Sequence, residues 1–357
     1  MRQATVYIDQ SALQYNLNRV KQLAPTAKIV SMVKANAYGH GVKDCLAALE
    51  ETDAFGVACL EEALEIRELG YQQPITLIEG VFSAEEMAIA VKNNIEVVVH
   101  HQPQLDWLYE HKDNYIAKGL KVWVKLNSGM NRLGFKLLDI IDVIHTLKAK
   151  GFTCVLAMHF ANADAENHPL NELQREQFLQ VKEACAPIMA SCCNSAAIFK
   201  WPELNFDFVR PGIMLYGASP FSDRSVHDLD IKPVMTFTAE IIALNTIQAG
   251  ESVGYGSTFI AEQSMDLAIV SIGYGDGYPR AFPKQNFVSI NGQLTPVIGR
   301  VAMDMIAIDV TGLNTPIGTT VELWGKDRLV DDVAEANGTI GYELLCRLSA
   351  RPARKSF

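Results

Sequence analysis

From residue 28 to residue 210 the chain alternates between two patterns. Short apolar runs occur at 28–33 (KIVSMV), 53–58 (DAFGVA), 74–79 (PITLIE), 95–99 (IEVVV), 121–126 (KVWVKL), 152–159 (FTCVLAMH), 190–194 (ASCCN) and 206–210 (FDFVR). Their length and apolar continuity predict strands buried on both faces. Between most of them lie stretches with apolar positions three and four apart, among them 41–51, 59–70, 83–94 and 170–185, which predict amphipathic helices. SAEE at 83–86 is a capping box, with Ser83 as cap and Glu86 returning to the helix start. Eight β units with helical crossovers over about 200 residues predict a (β/α)8 barrel, with an open doubly wound sheet as the alternative.

The pattern changes near residue 225. The segment 222–233 (SDRSVHDLDIKP) reads as a connection, followed by strand-like runs at 235–247, 267–275, 287–298, 302–310 and 319–325. Asn291-Gly292 marks a type I′ hairpin inside one of them. One helix, YELLCRLSA from residue 342, is expected near the end, and the basic RPARK from 351 reads as a solvated tail. The expectation is therefore a barrel over 1–225 and a mainly β domain over 226–357. The early strand TVYID suits either domain.

Composition narrows the classes. The 357 residues carry a formal net charge of −10, which argues against nucleic-acid binding. No apolar run approaches the ~18 residues of a membrane helix. The start MRQATVYIDQ lacks the apolar core of a secretory signal, so a cytoplasmic location is expected. Cysteines at 45, 59, 154, 185, 192, 193 and 346 are odd in number and have no metal-type spacing. They read as reduced residues, with neither a disulfide framework nor a metal site.

A barrel gathers chemistry at the C-terminal ends of its strands. Lys34 follows the first strand. Lys125 ends the fifth, with Asn131-Arg132 in the next loop; His159 closes the sixth, Asn194-Ser195 the seventh and Arg210 the eighth. A lysine on such a wall, desolvated, suits Schiff-base chemistry. Class I aldolases share that pattern, so it does not select a cofactor. NSAA (194–197) and RPGI (210–213) follow strands seven and eight, where barrels of this kind cradle phosphate. Read individually, the first is also a helix cap and the second a turn. Phosphate opposite a Schiff-base lysine describes pyridoxal phosphate.

The sequence resembles the alanine racemase family along nearly its whole length. The matching stretches are VKANAYGHG (33–41), SGMNRLGF (128–135), MHFANAD (158–164), NSAA (194–197), VRPGIMLYG (209–217), VGYGSTF (253–259), IGYGDGYPR (272–280), GRVAMDM (299–305) and YELLCRLSARPAR (342–354). Two departures are Gly275, where Ala is common, and Ala302, where a larger small residue often occurs.

The resemblance implies interconversion of L- and D-alanine with pyridoxal 5′-phosphate, supplying D-alanine for peptidoglycan. Lys34 would carry the cofactor and act as base for D-alanine. Tyr255, from the partner of a homodimer with shared sites, would be the base for L-alanine. Tyr38, Ser195, Gly212, Ile213 and Tyr342 would surround the phosphate, and Asn194 would also bind the cofactor. Arg210 would face the ring nitrogen, and His159 would lie by the ring and link Arg210 to Tyr255. Arg132 and the partner's Met303 backbone N–H would meet the substrate carboxylate. Tyr274 and Tyr342 would narrow the entrance, and Lys125 would be carbamylated, pairing with Arg132.

The physics supports these implied roles. Racemisation needs an acid/base group on each face of a planar carbanion. A permanently charged arginine donates to the ring nitrogen without yielding a proton. Three other readings are weaker. A pyridoxal-phosphate decarboxylase would place an acid where Arg210 stands. Racemases of serine or of a broader amino-acid range are typically exported. A one-domain cofactor carrier would lack Tyr255.

Overall fold

The computed structural model describes residues 4–357; Met1–Gln3, at the head of the N-terminal segment read above, lie outside the described residues. All eight expected barrel strands form. After β1 (Thr5–Ile8) they are β2 (Lys28–Met32), β3 (Ala54–Val57), β4 (Ile75–Leu77), β5 (Ile95–Val99), β6 (Lys121–Lys125), β7 (Thr153–Ala157), β8 (Met189–Ser191) and β9 (Phe208–Val209). They are parallel, in the order β8-β7-β6-β5-β4-β3-β2-β9. The ring closes between β8 and β9 without a regular ladder. Arg210 N–H donates to the Cys193 carbonyl and Ser191 Oγ to the Phe208 carbonyl, both at 2.9 Å. The interior is filled by Val30, Ala54, Val98, Trp123, Val155, Ala157 and Phe208. The Ser83 cap forms, accepting from Glu86 N–H at 3.1 Å, but the Glu86 carboxylate returns to Phe82 N–H, one residue before the cap.

The second half folds as a mainly β unit. Its strands are β10 (Met235–Ile247), β11 (Ser252–Val253), β12 (Phe259–Ile260), β13 (Met265–Val270), β14 (Phe287–Ile290), β15 (Gln293–Ile298), β16 (Ile306–Asp309), β17 (Thr320–Trp324) and β18 (Ala353–Ser356). The 13-residue β10 curls this sheet shut: Phe237–Glu240 pair with β17, and Ile241–Ile247, with a bulge between Ile241 and Ala243, pair with β13. Asn291 and Gly292 both have positive φ, as a type I′ turn requires.

Three details differ from, or complete, the sequence reading. The strand TVYI joins this second sheet, antiparallel to β10 and parallel to β18. The basic tail is therefore a strand, stitched to the chain's beginning. Two helices stand near the end, Val330–Asn337 and Gly341–Cys346, where one was expected. No helix among the described residues is long and apolar enough to cross a membrane.

Candidate active site

A cavity of about 380 Å³ opens at the C-terminal mouth of the barrel. Eleven residues expected at the site line it: Lys34, Tyr38, Lys125, Arg132, His159, Asn194, Ser195, Arg210, Gly212, Ile213 and Tyr342. Two lysines and two arginines face it, and its lining contains no Asp or Glu. In a chain of net charge −10, such a concentration of cations marks a site for anionic groups.

The local geometry follows from the loops. After β2 the backbone enters a turn of four left-handed L-residues, Ala35, Asn36, Ala37 and Tyr38, with φ between 52 and 54°. Each costs about 1–2 kcal/mol, so tertiary contacts must hold the turn. Glu62 supplies one of them, accepting from Ala35 N–H at 2.6 Å, and is itself held by Ala58 N–H at 2.8 Å. The turn brings the Tyr38 phenol against Gly212, where an added Cβ would sit 2.3 Å from the Tyr38 hydroxyl. Ser195 Oγ accepts from Gly212 N–H at 2.9 Å and Met214 N–H at 3.4 Å. Asn194 caps the helix Ser195–Lys200, accepting from Ala197 N–H at 3.1 Å, while also lining the cavity. Asn194 is thus a helix cap and part of the cavity wall at once.

Arg210 is buried. Its Nη1 donates to Ser191 Oγ and its Nη2 to the Met158 carbonyl at 2.5 Å. No hydrogen bond joins it to His159 among the described residues; charge alone connects them. Burial first, then Arg210 and Arg132, pushes the His159 imidazole well below its usual range, so it is neutral at physiological pH. Of the two lysines, Lys125 is the more deeply buried. Lys34 is only half-buried, whereas Lys125 is buried, and its ammonium is pushed down to about 8 by desolvation and by Arg210 and Arg132.

Three expected residues are not in the cavity of their own chain. Tyr255 is 72% exposed, Met303 53% and Tyr274 39%, all on the β domain. They share one region of its surface. Tyr274 N–H donates to the Ala302 carbonyl at 3.1 Å and Gly275 N–H to that of Met303 at 2.9 Å, and the Arg300 guanidinium lies against Gly256, beside Tyr255. The departure at Gly275 also has a structural correlate: a Cβ there would lie 2.2 Å from the Arg351 guanidinium, which pairs with Asp304 and Asp276.

Sequence reasoning missed three contributors. Trp123 lines the cavity from the barrel interior, its indole N–H donating to Glu96 at 2.7 Å. Period-two spacing with Lys121 and Lys125 was the available signal. Gln174, fully buried on helix Pro169–Ala184, donates to Ser128 Oγ and the His159 carbonyl and accepts from Ala161 N–H, each at 3.0 Å. It thereby ties the loop of Arg132 to that of His159. Cys346 lines the cavity one helical turn after Tyr342.

Two family models match the chain: alanine racemase, N-terminal domain, over residues 8–220, and alanine racemase, C-terminal domain, over residues 234–356. Alanine racemase of Psychrobacter sp. (strain PRwf-1) is 48% identical over 372 residues, spanning 99% of this chain and 100% of that one. The structure of alanine racemase from Acinetobacter baumannii matches with a TM-score of 0.99 at 76% identity, covering 100% of both chains. Alanine racemase from Bartonella henselae, with covalently bound pyridoxal phosphate, matches with a TM-score of 0.89 at 29% identity, again over 100% of both chains.

Proposed function

The chain belongs to the alanine racemase family and interconverts L- and D-alanine, and from that premise we propose how its residues divide the work. The observation that carries the reading is the cavity's lining, two arginines and two lysines with no Asp or Glu among them. It suits pyridoxal 5′-phosphate, an aromatic aldehyde bearing a phosphate, together with a substrate that brings its own carboxylate. The cradle fits the phosphate as well. Gly212 leaves room that a side chain would fill, beside Ser195 Oγ and the hydroxyl of Tyr38. Burial pushes the Tyr38 phenol up, so it stays a donor.

In this reading Lys34 bonds to the cofactor, with Tyr38, Asn194, Ser195, Gly212, Ile213 and Tyr342 around the phosphate. Arg210, held by Ser191 and Met158, faces the ring nitrogen as a permanent donor. When bound, the cofactor withdraws electrons from the amino acid and so acidifies its α-proton. The chain's own groups then move that proton. Lys34, its amine freed when the substrate's amine takes its place on the cofactor, would take or give it on one face, and the partner's Tyr255 would do so on the other. Arg132 and the backbone N–H of the partner's Met303 hold the substrate carboxylate, and Tyr274 and Tyr342 narrow the entrance. Exposure of Tyr255, Met303 and Tyr274 together supports a homodimer with sites shared between chains. In this reading the product D-alanine serves peptidoglycan synthesis and the enzyme works in the cytoplasm. Borohydride reduction of the holoenzyme and peptide mapping should find the pyridoxyl label on Lys34. Label on another lysine would overturn the assignment. An assay of L-alanine against L-serine and L-lysine sets the substrate range.

Lys125 is carbamylated in this reading. An ammonium lowered to about 8 leaves a neutral fraction at physiological pH. The neutral amine adds to CO2 and releases one proton, converting a cation beside Arg132 into an anion that pairs with it. Because only the neutral amine reacts, occupancy should rise as pH increases through about 8. Labelling with 13C carbon dioxide should give a carbamate signal that Lys125→Ala abolishes, and no signal in wild type would exclude it. Activity of Lys125→Ala should fall roughly tenfold or more, with partial rescue by small carboxylates.

A further inference from the structure

We propose that His40 is a positioning residue for the cofactor pocket, holding the left-handed turn that aims Lys34 and Tyr38. The inference rests on assigning the cavity to pyridoxal phosphate. Four consecutive L-residues in the left-handed region do not stay there unaided. Glu62 holds the front of the turn and Asn36 its middle, where Asn36 Oδ1 accepts from Val42 N–H at 2.8 Å. His40 holds the back. Its Nδ1 lies 3.1 Å from the Ala37 carbonyl and 3.0 Å from that of Tyr38.

This geometry assigns the proton. A ring nitrogen facing two carbonyl oxygens must be the donor, so Nδ1 carries the hydrogen and Nε2 is bare. Nε2 is enclosed and has no hydrogen-bond partner among the described residues. Burial, with Arg354 adding to it, pushes the imidazole down to about 4, so the ring is neutral throughout the working range. An enclosed, unpaired acceptor is a destabilising feature that an apolar residue of similar size would avoid. The histidine is therefore a poor filler, and its Nδ1 donor is the feature that the turn uses.

The ring also reaches the pocket through stacking. His40 lies on Tyr216 with centroids 4.6 Å apart, and Tyr216 stacks on Tyr38 at 4.8 Å. Tyr216 is itself fixed, its hydroxyl donating to the Met32 carbonyl at 2.8 Å, two residues before Lys34. Tyr38 in turn stands against Gly212 in the phosphate cradle. One side chain thus holds the turn by two carbonyls and Tyr38 by a stacked ring.

Three variants separate donor from filler. In His40→Asn the amide nitrogen falls near the Nδ1 position. His40→Gln carries its donor one bond further, and His40→Phe keeps the stack without a donor. Affinity of each apoprotein for pyridoxal phosphate is read from absorbance of the lysine adduct, with melting temperature measured in parallel. His40→Phe and His40→Gln should bind roughly tenfold more weakly while remaining folded, and His40→Asn should stay within about threefold of wild type. Equal affinity of Phe, Gln and wild type would overturn the role, as would equal weakening of all three variants. Should no variant fold, 15N NMR of the wild type decides. A hydrogen on Nδ1 and a bare Nε2 support the role, and the reverse tautomer overturns it. A wild type that takes up no pyridoxal phosphate would instead overturn the cofactor reading.

Discussion

Mixing two dead enzymes should restore racemisation to about a quarter of the wild-type rate. Lys34→Ala removes the base on one face and Tyr255→Ala that on the other, so each homodimer should lose at least about 10²–10⁴-fold in rate. If a site joins Lys34 of one chain to the partner's Tyr255, a mixed dimer has one site with both defects and one with neither. Random exchange makes half the dimers mixed, each with one intact site of two, which gives the quarter. Tyr255 is 72% exposed and does not line the cavity that Lys34 lines, so an intrachain site would require the β domain to move substantially. In that case every site in the mixture keeps one defect. Verified subunit exchange with activity still at the parental level would therefore exclude sharing. Each homodimer should still fold, because Lys34 is half-buried and Tyr255 lies at the surface.

The barrel was legible because parallel strands buried on both faces read as continuous apolar runs, and all eight appear in the chain order read from the sequence. The tail at 353–356 was misread for the opposite reason. An edge strand carries charge, and Arg354 and Lys355 on β18 look like a solvated terminus until the strand pairs with β1. The helix Val330–Asn337 escaped notice because it is short and starts after Leu329, with no side-chain cap to mark it. At the site, strand-end position identified most of the polar side chains at the mouth. It could not rank their burial. Lys34 and Lys125 both stand at strand ends, and only the packing around Lys125, with Arg210 and Arg132 nearby, makes it the more enclosed. Gln174 was hidden by its type. A glutamine within a polar helix looks solvated, and the pairing that explains it reaches 46 residues back to Ser128 and 15 back to His159.

Gly39→Ala should be among the most destabilising single substitutions in the protein, and it should damage the pocket as well. Gly39 follows the four left-handed residues and is itself at φ +79°, a conformation that costs an alanine about 1–2 kcal/mol. Space is the larger obstacle. A Cβ would lie 1.9 Å from the Leu345 carbonyl oxygen, 2.8 Å from its carbon and 3.2 Å from Cys346 Cα. These are backbone atoms, so no side-chain rotation relieves the clash. The helix Gly341–Cys346 would have to back away from the Lys34 loop. That helix presents Tyr342 and Cys346 to the cavity, and Tyr342 faces Tyr38 with ring centroids 6.2 Å apart. Overpacking adds about 1–3 kcal/mol to the backbone cost, for a total loss of about 2–5 kcal/mol. Gly119→Ala is the matched control. Gly119 has φ +71° with nothing within 4 Å of its added Cβ, so it carries only the conformational cost. Melting both variants and wild type at equal concentration should rank Gly39→Ala well below Gly119→Ala. Any folded Gly39→Ala should bind pyridoxal phosphate more weakly, whereas Gly119→Ala should bind it normally. Equal melting temperatures would mean that the helix yields without cost, and that its docking on the Lys34 loop does not shape the pocket.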